Sequence, residues 1–252
     1  MTDPSKSYDL VLVCGRRPVL LERTLASFCR TVFPAFRFAN VLVNIDPFCG
    51  TVADGHACAD LIRAAFPDAQ IFMPDRPGFG AAVIRLWQAS ESDILLHLED
   101  DWLALEPVTP AEVEHDLTGD VTALTLMCAT KNTRNQKFQT ARRIVRQPDG
   151  TEVDQFVSAF STSPGFFDGA FARQAAGLMR PEFDPEKQFF RGLNPALEAF
   201  AFRHRCKFLF GKRSPFMIED IGRDWQRDQG IVKSYDRRTG RSLWNTKDGS
   251  AV

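Results

Sequence analysis

Three consecutive carboxylates, Glu99, Asp100 and Asp101, close an apolar run that begins at Ile94 and precede Trp102. Acids held side by side repel one another and are costly to desolvate unless a proton, a cation or a basic side chain neutralises them. Oxygen ligands of this hard type suit a divalent cation, Mn2+ or Mg2+. The plainer alternative is three solvated acids at a strand end. The run itself (Ile94, Leu95, Leu96, His97, Leu98) lies between a helix-like segment and a turn, as a buried strand of a parallel sheet does. The acids then sit at the strand's C-terminal end, the edge of an open α/β sheet where ligands collect. Strand alternation can turn His97 away from the acids, and it reads as a packed strand residue rather than a ligand.

A second group with chemical potential is Gly15, Arg16 and Arg17, placed between a strand and a helix. Backbone donors and guanidinium groups at such a turn can hold a phosphate or nucleotide; two solvated arginines on a surface turn are the other reading. Gly78 and Gly80 are a fragment of a dinucleotide fingerprint without its later glycine or its place at the first strand, which disfavours a Rossmann dehydrogenase. No glycine-rich loop ends in Gly-Lys-Ser/Thr, so a P-loop NTPase is disfavoured too. The six cysteines lack paired CxxC spacing and read as reduced, mostly buried thiols; Cys49, His56 and Cys58 suggest no fourth zinc ligand.

The elements that must position these groups follow from apolar patterning. Residues 9–14 form an apolar strand, and Pro18 suits the first turn of a helix whose face is Leu21, Leu25, Phe28, Cys29 and Val32, running to about Phe33. A strand at 41–46 ends in Asp46, Leu61, Ile62, Ala65 and Phe66 mark the next helix, and 70–73 is a third strand. The turn at 75–80 feeds a helix carrying Val83, Leu86 and Trp87, which leads into the run at 94–98. This β-α-β-α-β-α-β order predicts a parallel sheet with right-handed crossovers. Beyond it a short helix follows Pro110, 121–127 is a strand, 131–137 is a polar loop, and 142–147 with 152–160 predict a β-hairpin across Pro148, Asp149 and Gly150. The expectation is one α/β domain: a nucleotide-binding half over about 8–105, a mixed half over about 106–233, and a terminal arm over about 234–252.

With 252 residues, 44% of them hydrophobic, the chain can bury a full core, and a net charge of -1 gives no overall field to recruit nucleic acid or an anionic membrane. No apolar run approaches the roughly 20 residues that span a bilayer, and the first residues lack a signal-peptide core, so a cytoplasmic location without a transmembrane segment is the expectation.

The motifs together carry a resemblance. Residues 11–28 resemble the opening strand, turn and helix of nucleotide-sugar glycosyltransferases of the GT-A fold, similar to the family 2 group; 43–46 resembles the second strand with its terminal acid, and 77–82 the glycine-containing entry into the helix before the metal motif. Leu98, Glu99, Asp100 and Asp101 take the place of the DxD motif. The resemblance implies a mostly parallel, Rossmann-like sheet flanked by helices with a mixed α+β acceptor-side half. It also implies metal-dependent transfer of a sugar from a nucleoside diphosphate to a hydroxyl of a glycan or other acceptor, with inversion. In that frame Asp101 is the direct metal ligand, and Glu99 and Asp100 serve the ribose or the metal's water shell. Asp46 lies near the nucleoside with Cys14, Gly15 and Arg17 around it, Arg76 and Gly78 join the donor-binding set, and Arg223 closes over the diphosphate on a lid. The segment 161–171 resembles the one lining donor sugar and acceptor. Glu198, at a late helix start ahead of a strand at 207–210, fits the order of the general base, and Glu186 competes with it; neither sits in the usual acidic pair. Two other classes stay open: a sugar-phosphate nucleotidyltransferase, and a non-catalytic carbohydrate-binding protein on a decayed transferase fold.

Overall fold

Every residue of the first strand is buried, because it lies at the middle of the sheet with helices on both faces. The computed structural model describes residues 6–130, 136–146, 149–236 and 241–246, those at 143–146, 154, 233 and 241–246 by backbone alone. Residues 131–135 of the expected polar loop, Gln147 and Pro148 of the expected hairpin, and 237–240 and 247–252 of the expected arm lie outside the described residues.

The chain runs β1 (Tyr8–Gly15), α1 (Pro18–Thr31), a 3-10 turn (Phe33–Ala35), β2 (Phe38–Asp46), α2 (Val52–Ala65), β3 (Gln70–Phe72), α3 (Phe79–Ala89) and β4 (Ile94–Glu99). Next come β5 (Trp102–Ala104), α4 (Pro110–Asp116), β6 (Val121–Leu126), the hairpin β7 (Thr140–Arg146) and β8 (Glu152–Ser158), β9 (Gly165–Asp168) and α5 (Gly169–Leu178). A 3-10 turn (Lys187–Phe189) precedes α6 (Pro195–Ala201), β10 (Arg205–Leu209), β11 (Ile218–Asp220), α7 (Gly222–Asp228), β12 (Ile231–Asp236) and β13 (Arg241–Thr246).

Seven strands form the central sheet in the order β10-β6-β9-β4-β1-β2-β3. All its pairings are parallel except those of β9, which is antiparallel to both neighbours. Alternation along β1 builds two cores. Leu10, Leu12 and Cys14 face α1 and α2 with Leu21, Phe28, Cys58 and Ile62, while Val11 and Val13 face α3, α5 and α6 with Leu86, Trp87, Phe171 and Phe200. The result is a three-layer α/β/α domain, as the βαβ order requires.

Local chemistry sets the boundaries. Pro18 opens α1, Thr51 with Asp54 and Thr109 with Glu112 make reciprocal capping boxes on α2 and α4, and the Asp168 and Asn194 side chains cap α5 and α6. At the base of β1, Asp9 is fully buried. Burial pushes its pKa up, but the Ser92 and Ser90 hydroxyls and the Ser92 and Glu91 amides more than offset this and hold it below the ordinary carboxylate value. The expected helix to Phe33 ends at Thr31, and the helix start expected around Glu186 is only a 3-10 turn. Within the expected terminal arm, Arg241–Thr246 pairs antiparallel with Ile231–Asp236. No described helix is long and apolar enough to cross a membrane.

Candidate donor site at the sheet edge

The parallel register places Val13 of β1 opposite Glu99 of β4, so the turn after β1 meets the acids one step beyond the strand ends. Asp100 points into this junction and is 1% exposed. Its Oδ2 accepts from the Gly15 amide at 3.0 Å and Arg17 Nε at 3.1 Å, and its Oδ1 accepts from Arg17 Nη2. The Asp100 carbonyl accepts from the Thr24 hydroxyl of α1 at 2.7 Å, which ties the acid turn to the first helix. Arg17 therefore makes a two-pronged pair with Asp100 and reaches Asp101 Oδ2 with Nη2 at 3.2 Å. Its guanidinium is sandwiched between Phe48, 5.2 Å from the ring centroid, and Trp225, at 5.1 Å. Burial works against the Arg17 charge, but Asp100 and Asp101 more than offset it and raise its pKa.

Asp101 has a different environment. Its side chain is 14% exposed, and its pKa is raised to about 7: burial pushes it up most, Arg17 pulls it down, and Asp100, Glu99 and Asp220 add to the rise. Asp220 arrives on β11, which pairs antiparallel with β5 so that Asp220 lies opposite Trp102. The same segment closes over the acids: the Ile221 amide donates to the Asp101 carbonyl at 2.9 Å, and a Cβ at Gly222 would stand 2.2 Å from Asp101 Oδ2. Any side chain there would have to displace Asp101 or α7. Arg223, the expected lid residue, is on α7 but exposed, donating through Nε to Asp220 at 2.8 Å.

Asp46, at the end of β2, accepts from the Phe48 amide at 3.1 Å and the Gly78 amide at 2.8 Å, joining two loops at the sheet edge. Burial raises its pKa, and those two amides pull it back. Cys14 is buried with its thiol on the Asn44 carbonyl, and burial pushes its pKa up, so it packs rather than reacts. Arg76 is exposed in the loop before Gly78. Thus Gly15, Arg17, Glu99, Asp100 and Asp101 come together, with Cys14, Asp46 and Gly78 along the same edge. Glu99 stands partly exposed at the end of β4, and His97 Nε2 lies 3.9 Å from Glu99 Oε1, so His97 shares a face with Glu99 rather than turning from it.

The two candidate bases sit apart in role. Glu186 Oε1 accepts from the Ser161 hydroxyl at 2.8 Å and the Thr162 amide at 3.1 Å, and Oε2 pairs with Lys187 Nζ at 2.8 Å; the side chain is 22% exposed. Glu198 is 1% exposed on α6, where its Oε1 accepts from the Gly192 amide of the preceding loop. Residue types and spacing did not single out Phe48, Trp225, Gly222 or Asp220. The only available signal was the acid-glycine-tryptophan grouping at 219–225, whose partner strand is three residues long.

Among the described residues no three His, Cys, Asp or Glu side chains converge on a ready-made metal cage. Asp100 accepts three hydrogen bonds from Gly15 and Arg17 and is 1% exposed, so its charge is already matched by Arg17. Asp101 fits a cation: burial, with Asp100, Glu99 and Asp220 nearby, raises its pKa against the pull of Arg17, so an added cation would favour its charged form. A one-carboxylate site suits Mg2+-like ions, which keep waters and take substrate phosphates as the remaining ligands. An open groove of about 500 Å3 lined by Arg30, Thr31, Leu105 and Arg213 is separate from these acids.

The fold is GT-A-like: a seven-stranded, mostly parallel sheet with helices on both faces and a mixed second half. It is similar to the mannosyltransferase PcManGT from Pyrobaculum calidifontis in complex with GDP-Man and Mn2+, with a TM-score of 0.56 and 13% identity over 82% of this chain and 56% of that one. It is likewise similar to GalNAc-T7 with UDP, GalNAc and Mn2+ (TM-score 0.52, 12% identity, 81% of this chain and 42% of that one) and to S. aureus TarS (0.52, 12%, 82% and 35%). The chain thus spans roughly a third to just over half of the structures it matches. No protein-family model matches the sequence, and no curated protein matches it significantly.

Proposed function

We propose that the protein is a metal-dependent glycosyltransferase that moves a sugar from a nucleoside diphosphate to a hydroxyl acceptor. The observation that carries this reading is Asp101, a mostly buried carboxylate with a raised pKa at the C-terminal edge of a GT-A sheet, ringed by Glu99, Asp100 and Asp220. Asp101 would hold Mn2+ or Mg2+, and the cation would supply charge neutralisation for the departing diphosphate. Arg17 holds Asp100 still, so the turn that presents Asp101 is rigid before a donor arrives. Glu99 faces the nucleoside side, and Asp46 fixes the loop of Gly78 beside it.

For an inverting reaction a carboxylate must take the acceptor hydroxyl's proton. Glu186 suits this better than Glu198, since it is reachable from solvent, is ion-paired to Lys187 and lies against the segment leading into β9, whereas Glu198 is enclosed. Glu186→Gln is expected to lower turnover by at least about a hundredfold with donor affinity kept, and Glu198→Gln to affect stability more than turnover. Equal turnover of Glu186→Gln and the native protein would remove Glu186 from the mechanism.

A panel of nucleoside-diphosphate sugars, assayed for nucleoside diphosphate release with Mn2+ and with chelator, tests the whole reading. Metal-stimulated release that disappears in Asp101→Ala supports it; release of pyrophosphate from an NTP and a sugar phosphate would mark a nucleotidyltransferase instead. A second reading, donor binding without transfer, draws on one observation: both glutamates already serve local hydrogen bonds. It predicts nucleotide binding with no release from any donor.

A further inference from the structure

Strand alternation in β4 puts His97 and Glu99 on one face, two residues apart, with Glu99 at the ligand edge and His97 one step deeper. His97 is fully enclosed. Its Nδ1 accepts from the indole N–H of Trp87 at 3.1 Å, and Trp87 is itself completely buried on α3, 4.8 Å from the Phe167 ring. An indole nitrogen only donates, so Nδ1 carries no proton and the neutral imidazole must carry it on Nε2. Among the described residues that Nε2–H has no hydrogen-bond partner. It lies 3.9 Å from Glu99 Oε1, just beyond bonding reach, and Glu99 is 22% exposed and able to adjust. A buried donor left open beside an adjustable carboxylate is costly unless the contact closes at some stage of the working cycle.

We propose that His97 is a positioning residue for Glu99: Trp87 locks the imidazole in its Nε2–H tautomer, and that proton engages Glu99 when a nucleotide draws the carboxylate inward, aiming its other oxygen at a hydroxyl of the nucleoside. The aiming step rests on the donor-site reading above, whereas the Trp87–His97–Glu99 chain does not.

Imidazole 15N NMR of the full chain separates the two. The expected spectrum shows His97 protonated at Nε2, with a proton resonance that moves in Glu99→Gln without any ligand and moves downfield when UDP or GDP with Mg2+ is added. In binding measurements, His97→Phe is expected to weaken nucleotide affinity by about tenfold in the native background and to have no effect in Glu99→Ala, while His97→Gln, which keeps a donor, recovers part of the loss. A proton found on Nδ1, or a resonance indifferent to Glu99→Gln, overturns the chain even if His97→Phe fails to fold. An equal loss of affinity for His97→Phe with and without Glu99 overturns the positioning role. Absence of any nucleotide effect in the native protein, with the tautomer and the Glu99 response as expected, overturns the donor-site reading and the aiming step with it, leaving the chain standing.

Discussion

Arg17 and Asp101 divide the work of the acidic turn. Arg17 spends its charge on Asp100, which is 1% exposed, and an ion pair so placed is costly to break from one side. Arg17→Ala is expected to lower unfolding free energy by about 3–5 kcal/mol in urea titrations, and Arg17→Met with Asp100→Leu to recover part of it, because the second change removes the stranded charge. Asp101 carries the pH dependence. Its pKa is raised to about 7, so at lower pH the carboxyl holds a proton that a cation must displace. Divalent-metal-dependent nucleotide affinity should therefore rise as pH increases through about 7 and level off above it; calorimetry across that range checks the sign. Asp101 was legible in the sequence, as the last acid of a strand-end run. Arg17's partner was not: it lies 83 residues away, and an arginine in the Gly15-Arg16-Arg17 turn reads as a phosphate holder or as a solvated side chain.

At the scale of elements, the β11–α7 segment decides access to the acids. Its first helical residue, Gly222, packs so closely that a methyl group would fall 2.2 Å from Asp101 Oδ2. Gly222→Ala should push α7 outward or turn Asp101 aside, weakening metal-dependent nucleotide binding by tenfold or more, an estimate of roughly 1.4 kcal/mol. Most of the protein's stability should persist, because α7 buries little beyond Gly222. Unchanged affinity in Gly222→Ala would show that this contact does not shape the site. The βαβ elements of the first half were readable because β1, β2 and β4 are apolar runs ended by glycine or an acid and the helices between them carry apolar faces. The β5–β11 pairing was not: two three-residue strands more than a hundred residues apart leave no periodicity to detect. The antiparallel insertion of β9 between β4 and β6 escaped for the same reason, being four residues long.

For the molecule as a whole, the sheet is anchored at the end opposite the acids by Asp9, whose carboxylate takes hydrogen bonds from Asn40, Ser90, Glu91 and Ser92. A carboxyl whose folded pKa is depressed stabilises the fold fully above its unfolded pKa of about 3.9 and loses that contribution as pH falls through the folded value. Asp9→Asn should thus lower stability at neutral pH and flatten the acid limb of a urea-against-pH profile; an acid limb identical to the native one would assign the acid sensitivity elsewhere. Fold class and the acidic sheet edge followed from the order of apolar runs, while the second half, built from short strands and 3-10 turns, left the sequence no way to choose between Glu186 and Glu198. The most direct test of the central claim is calorimetric titration of the native chain and Asp101→Ala with UDP and GDP, each with Mn2+ and with chelator. Saturable binding of one nucleotide by the native chain that requires Mn2+ and is absent in Asp101→Ala is the expected result. Binding that is the same with chelator, or that survives in Asp101→Ala, would contradict the assignment of Asp101 as the metal-holding residue of a donor site.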